Sequence, residues 1–145
     1  MGYIKIWAHL VWTTKDREPL LTTDIRKQVF DHLLKNAIDK SIYIDFINGY
    51  FEHVHCLISL GSGQNIDKIV MLLKGESSYW INKNELIREK FEWQDEYFAI
   101  SVSESAVNRV RDYIKNQEEH HRKKSFRQEY DVFMRKYGFD KFLSG

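Results

Sequence analysis

Two histidines separated by a single residue are the feature of this sequence that points most directly to chemistry. His53 and His55 stand in the run Phe-Glu-His-Val-His-Cys-Leu-Ile, which starts at residue 51 and is typical of a β-strand. Successive side chains of a strand point to opposite faces, so both imidazoles project from one face and Val54 and Cys56 from the other. Two neutral imidazoles at this spacing can bind a divalent cation together. The alternative is a pair of histidines that lie on a solvent-facing strand or are hydrogen-bonded to neighbouring backbone.

A tyrosine in a predicted helix supplies a second candidate group. Val107, Val110 and Ile114 recur at helical spacing and form the expected buried stripe. Tyr113 lies at the edge of that stripe, and Gln117 follows one turn later on the same side. A phenol beside an amide oxygen and basic side chains is suited to attack on a phosphodiester. The alternative is an ordinary residue at the edge of the core, since the chain has 8 tyrosines.

The near-zero net charge conceals a local excess of basic residues. The chain of 145 residues has 22 Lys+Arg and 21 Asp+Glu, which gives a net charge of +1. Seven basic residues and three acidic ones fall between positions 109 and 127, which predicts a basic face, although a solvated helix surface is the simpler interpretation. These basic residues are Arg109, Arg111, Lys115, Arg122, Lys123, Lys124 and Arg127.

Composition limits the class of protein. Apolar residues make up 43% of the chain and only 1 proline is present, so we expect one globular domain over residues 1–145 rather than a disordered or collagen-like chain. The single cysteine excludes an internal disulfide and fits a reducing compartment. No apolar run is long enough for a membrane span, and no signal peptide is visible. We therefore expect a cytoplasmic protein without a membrane partner.

The elements that position these groups follow the order β-α-β-β-α-β-α-α. A hairpin-linked central pair of strands with two crossover helices predicts an α+β, ferredoxin-like (RRM-like) fold. Its expected core is a four-stranded antiparallel sheet, βαββαβ, with further helices at the C-terminus. The predicted strands cover 3–12, 42–50, 51–60 and 97–102, with a turn at Asn48-Gly49, and the predicted helices cover 25–37, 66–81, 104–120 and 126–137.

Five segments, in order and at similar spacing, together resemble a known family. These are His9–Lys15, His53–His55, Leu73–Ser78, Tyr97–Ala99 and Tyr113–His121. The chain resembles the single-tyrosine HUH transposases of the insertion sequence 200/605 type, the IS200-like family, which includes palindrome-associated relatives. HUH denotes His-hydrophobic-His. One departure is Phe51-Glu52 before the histidines, where the family commonly has Pro-Asp or Pro-Glu.

The resemblance implies an enzyme of DNA transposition and recombination. In such an enzyme Tyr113 attacks single-stranded DNA, forms a 5′-phosphotyrosine and releases a 3′-hydroxyl. His53, His55 and Gln117 hold a divalent cation, Mg²⁺ or Mn²⁺. The expected partners are hairpin-bearing single-stranded DNA at element ends and a second copy of the chain in a homodimer. The seven basic residues and Lys74 are then candidates for phosphate contacts, which set register and salt dependence.

Two other functions stay open at this point. One is a non-catalytic, domesticated module that binds hairpin DNA or RNA through a ferredoxin-like sheet. The other is a small metal-dependent hydrolase that uses His53 and His55 with Glu52. The hydrolase is the weaker alternative, because Glu52 on a regular strand would point away from both histidines.

Overall fold

A four-stranded antiparallel sheet is the centre of the structure, a computed structural model that describes residues 2–139. The strands are β1 (Ile6–Thr13), β2 (Tyr43–Gly49), β3 (His53–Leu60) and β4 (Phe98–Val102). They lie side by side in the order β2-β3-β1-β4. This arrangement confirms the predicted α+β, ferredoxin-like fold.

The helices lie between and after the strands. They are α1 (Thr23–Asp39), α2 (Ile66–Lys83), α3 (Val107–Lys115), α4 (Gln117–Lys123) and α5 (Phe126–Lys136). Short 3-10 turns stand at Lys15–Arg17 and Glu104–Ala106. The chain divides into two compact units, Met1–Lys115 and Asn116–Gly145, so the sheet with α1 to α3 and the pair α4–α5 are described separately. Within residues 2–139, no helix combines the length and the apolarity that crossing a bilayer requires.

The main hydrophobic core lies between the sheet and helices α1 and α2. Alternate residues of β1 and β3 enter it, among them Leu10, Val54 and Cys56, all with 0% exposure. Val29 and Leu33 of α1 pack against the same cluster. The predicted apolar face of β3 is therefore the main core face. Burial raises the pKa of the Cys56 thiol, so this cysteine is part of the core rather than a reactive group.

A second, smaller core covers the opposite face of the sheet. Trp7 of β1 and Leu57 of β3 pack there against Val107 and Ile114 of α3. His53 and His55 have the same alternation as Leu57, and both are fully buried. The alternative of two histidines on a solvent-facing strand is therefore wrong, because this face of the sheet is covered as well.

The hairpin between β2 and β3 differs from the prediction. Strand β2 continues through Asn48 and Gly49, and the turn follows over residues 50–52, so the expected Asn-Gly turn is wrong. Gly49 is needed for another reason. A Cβ atom at this position would lie 2.1 Å from the carbonyl oxygen of His53, which accepts the Tyr50 N–H at 3.0 Å. The hairpin can therefore form this hydrogen bond only with glycine at position 49.

The predicted helix over 104–120 is interrupted. Helix α3 ends at Lys115, Asn116 has φ −96° and ψ 30°, and α4 begins at Gln117. Tyr113 and Gln117 therefore belong to two different helices, so the rule that residues four apart in one helix are neighbours does not apply to them. Asparagine tolerates such non-helical backbone because its short polar side chain competes with helical hydrogen bonding.

Replacing Gly49 with alanine tests the close approach in the hairpin. Gly49→Ala is expected to destabilise the protein by roughly 1–3 kcal/mol, because the new methyl group overlaps a backbone oxygen that cannot move without opening the hairpin. The matched control is Gly75→Ala in α2, where a Cβ meets nothing within 4 Å. That change should stabilise by about 0.5–1 kcal/mol through the better helix propensity of alanine. Urea unfolding midpoints measure both, and equal midpoints for the two variants would contradict this description.

Candidate functional site

The histidine pair of β3 lies in the middle of the sheet. His53 and His55 are two residues apart, and their ring centroids are 5.0 Å apart with an angle of 80° between the rings. In the neighbouring strands, β1 places Thr13 opposite His53 and Val11 opposite His55. Two buried imidazoles on one face of a central strand form a compact nitrogen donor set, which is the kind of group that binds divalent transition metals.

A carboxylate fixes the first histidine of the pair. Glu52 Oε1 lies 2.6 Å from His53 Nδ1, with the Glu52 side chain 19% exposed. The expectation that Glu52 points away from the histidines is wrong, because β3 begins at His53 and Glu52 belongs to the preceding turn. The turn is held by Thr14, whose N–H donates to the Glu52 carbonyl at 2.9 Å. A neutral His53 that donates its Nδ1–H to this carboxylate has its lone pair on Nε2, as in many metal-binding histidines.

A third histidine, His9 of β1, contacts the second member of the pair. His9 Nε2 and His55 Nδ1 are 2.8 Å apart in a buried hydrogen bond, and the two ring centroids are 5.0 Å apart. His9 is paired with Leu57, so it is the diagonal cross-strand neighbour of His55. No role for His9 was predicted from the sequence. The strand alternation of β1 places it on the same face, but the contact depends on the register between β1 and β3.

Tyr113 lies over these histidines. Its half-buried ring makes edge contacts with His55, at a centroid distance of 5.5 Å, and with His9, at 6.2 Å. Helix α3 is held in this position by its apolar stripe, since Val107 and Ile114 are buried against the sheet. The tyrosine is therefore beside the histidine pair and within the same compact unit.

The end of the tyrosine helix is fixed by Asn48, a second residue with no role predicted from the sequence. Its amide Nδ2 donates to the carbonyl oxygens of Ile114, at 3.0 Å, and Lys115, at 3.1 Å. Carbonyl groups in the last turn of a helix have no partner within the helix, so Asn48 acts as a side-chain cap. Because Asn48 is also paired with His55 in the sheet, one residue connects the histidine strand to the tyrosine helix.

The remaining predicted ligand, Gln117, belongs to the second compact unit. Within that unit, His121 Nε2 lies 3.1 Å from Gln117 Oε1 and 3.3 Å from Glu129 Oε2, and His121 Nδ1 lies 2.8 Å from the Lys124 carbonyl. His120 Nε2 is 2.8 Å from the same carboxylate oxygen of Glu129. Burial lowers the pKa of His120, and the charge of Glu129 opposes this effect. His120 and His121 thus connect α4 to Glu129 of α5 through polar contacts.

The predicted phosphate-contact residues divide into two that bind other parts of the fold and six that are exposed. Arg111 forms a bidentate ion pair with Asp45, with N–O distances of 2.6 and 2.7 Å. This ion pair raises the pKa of Arg111. Lys74 donates to the backbone carbonyls of Gln94 and Asp95, and burial lowers its pKa. Both cations thus have a structural role in the fold. The other predicted phosphate-contact residues are exposed: Arg109, Lys115, Arg122, Lys123, Lys124 and Arg127.

Comparisons with known proteins bear on what this arrangement does. The family model described as "Transposase IS200 like" matches residues 3–117, which is more than half of the chain. The ISDra2 transposase TnpA of Deinococcus radiodurans is 28% identical over 123 residues, a region that covers 80% of this chain and 87% of that protein.

Solved structures are similar in fold. A crystal structure of a protein described as a transposase from Deinococcus radiodurans R1 has a TM-score of 0.66 and 25% identity, and the match covers 81% of this chain and 95% of that one. A REP-associated tyrosine transposase bound to a REP hairpin has a TM-score of 0.64 and 18% identity, with 83% and 72% covered, and supports the fold alone. On the family match over residues 3–117, the chain belongs to the IS200-like transposase family.

Proposed function

We propose that this chain cleaves and rejoins single-stranded, hairpin-bearing DNA through a 5′-phosphotyrosine at Tyr113, with a divalent cation at His53 and His55. The observation that carries the proposal is the packing of the Tyr113 ring against His55 and His9, beside a buried pair of imidazoles. A phenol beside a metal-binding pair is the arrangement that nucleophilic attack on a phosphodiester needs.

The donor chemistry fits a divalent cation. A neutral His53 that donates its Nδ1–H to Glu52 has its lone pair on Nε2, and His55 lies next to it on the same face. Gln117 is the further ligand implied by the family resemblance, and a side-chain amide oxygen suits Mg²⁺ or Mn²⁺. When bound, such a cation neutralises the negative charge that develops on the phosphoryl oxygens and the leaving group.

The proposed reaction forms one bond and breaks one at phosphorus. The Tyr113 oxygen loses its proton and bonds to the phosphorus, while the bond from phosphorus to the 3′ oxygen of the preceding nucleotide breaks and that oxygen takes up a proton. Since a phenol has a pKa near 10, Tyr113 is a weak nucleophile at neutral pH unless its surroundings assist it. Attack of a 3′-hydroxyl on the phosphotyrosine reverses the step, so a strand is rejoined without ATP.

Charge and one relative support a DNA partner. The exposed basic residues Arg109 and Lys115 flank Tyr113 on α3, and Arg109 lies one helical turn before it. They can contact phosphates next to the cleaved bond without reading its sequence. A REP-associated relative of similar fold is bound to a REP hairpin, which supports a hairpin ligand here. The family resemblance also implies a homodimer, in which the tyrosine helix of one subunit can serve the histidine pair of the other.

A phenylalanine variant tests the nucleophile. Wild-type protein incubated with Mn²⁺ and hairpin-bearing single-stranded DNA of the sequence next to the gene should give a covalent protein–DNA adduct on a denaturing gel. Tyr113→Phe should give none, because only the hydroxyl group is lost. Tyr79→Phe is the matched control, since Tyr79 is 63% exposed on α2, and it should react like the wild type. An adduct that persists in Tyr113→Phe would reject this residue as the nucleophile.

Removing the histidine pair tests the cation site. The double variant His53→Ala/His55→Ala should lose cleavage at every Mn²⁺ and Mg²⁺ concentration while it retains much of its hairpin binding in a gel-shift assay. His32→Ala removes an imidazole of α1 that bonds to Glu76, and it should still cleave. Cleavage by the double variant, or wild-type cleavage that is unaffected by EDTA, would reject the cation site. Hairpin binding by the wild type without any cleavage would favour the non-catalytic binding module instead.

A further inference from the structure

The hydrogen bond between His9 and His55 constrains where the protons of both rings are. Both side chains are buried, and His9 Nε2 lies 2.8 Å from His55 Nδ1. A neutral imidazole carries one N–H and one lone pair, so exactly one of these two facing nitrogens bears the shared proton. The nitrogen that bears this proton determines whether His55 Nε2, on the opposite side of the ring, has a lone pair.

The two arrangements have opposite consequences for a cation. If His9 Nε2–H donates, His55 accepts at Nδ1, bears its proton on Nε2 and has no lone pair there for a metal. If His55 Nδ1–H donates to His9, the lone pair of His55 is on Nε2. The second arrangement is the one already imposed on His53, whose Nδ1 faces the carboxylate of Glu52 at 2.6 Å.

We propose that His9 is a positioning residue for the cation site: it accepts the Nδ1–H of His55 and thereby holds His55 in the tautomer whose Nε2 binds the cation. The inference rests on the proposed function, since it assigns a role toward the same cation. Glu52 and His9 then have equivalent roles: Glu52 accepts the Nδ1–H of His53, and His9 accepts the Nδ1–H of His55. Partners of this kind orient the ligand ring and raise its basicity.

His9 also touches the proposed nucleophile. Its ring makes an edge contact with Tyr113 at a centroid distance of 6.2 Å, and Tyr113 contacts His55 at 5.5 Å. A purely structural role for His9 would therefore be to support the tyrosine ring. The two roles are distinguishable, because support of Tyr113 has no effect on the affinity for a cation, whereas the tautomer of His55 does.

The first test measures the tautomers directly in the unmodified protein. Long-range ¹H–¹⁵N correlation spectra, recorded without metal at a pH where the imidazoles are neutral, should show His55 protonated at Nδ1 and His9 also protonated at Nδ1. His55 protonated at Nε2 would overturn the proposal, whether or not the protein cleaves DNA.

The second test compares two substitutions at position 9 by the Mn²⁺ dissociation constant, measured from the electron paramagnetic resonance signal of free Mn²⁺. His9→Leu keeps apolar bulk but has no acceptor and should weaken Mn²⁺ binding roughly 10–100-fold. His9→Gln offers an amide oxygen to the His55 Nδ1–H and should bind close to the wild-type value. His32→Leu removes an imidazole of α1 that is hydrogen-bonded to Glu76 of α2, and it should leave the affinity unchanged.

The outcomes separate this inference from the proposed function. Equal Mn²⁺ affinity in His9→Leu and the wild type would overturn the positioning role and leave the cation site intact. A wild-type protein that binds no Mn²⁺ would overturn both. Urea unfolding midpoints identify a variant that fails to fold, and in that case the comparison of His9→Gln with the wild type and the tautomer spectra decide the matter.

Discussion

The pairing of β1 with β3 is the constraint on which the rest of the site depends. In this register His9 faces Leu57 and Val11 faces His55, so His9 and His55 become diagonal neighbours on one face of the sheet. A slip of one residue in either strand would move its side chains to the face occupied by α1 and α2. The apolar side chains that fill that core, such as Cys56, therefore fix the position of the histidines as firmly as any contact of the histidines themselves.

Burial makes the polar partners of these histidines necessary. An imidazole without a hydrogen-bond partner inside a protein is costly, since its lost hydration is not replaced. His53 is bonded to Glu52 and His55 to His9. The bonds that make the burial tolerable also determine on which nitrogen each ring carries its lone pair. Stability and the proposed binding of a cation thus depend on the same contacts, and Asn48 connects the histidine strand to the helix of Tyr113.

Much of the fold, and part of the site, could be predicted from periodicity. Strand alternation placed His53 and His55 on one face, and the apolar stripe of α3 was visible in the sequence. The contact of Glu52 with His53 could not be predicted, because it depends on where β3 begins. The contact of His9 with His55 depends on strand register, which one sequence does not encode locally. The interruption at Asn116 lacks the proline or glycine that usually marks one.

The covalent bond that Tyr113 is proposed to form with DNA is measured most directly by mass spectrometry of the adduct. Trypsin cleaves after Arg111 and Lys115, so the residues 112–115 form one short peptide that contains a single tyrosine. After digestion of a wild-type adduct with nuclease and trypsin, this peptide is expected to carry a nucleotide through its 5′-phosphate. A nucleotide attached to any other peptide, or DNA cleaved with no attached peptide, would contradict the account.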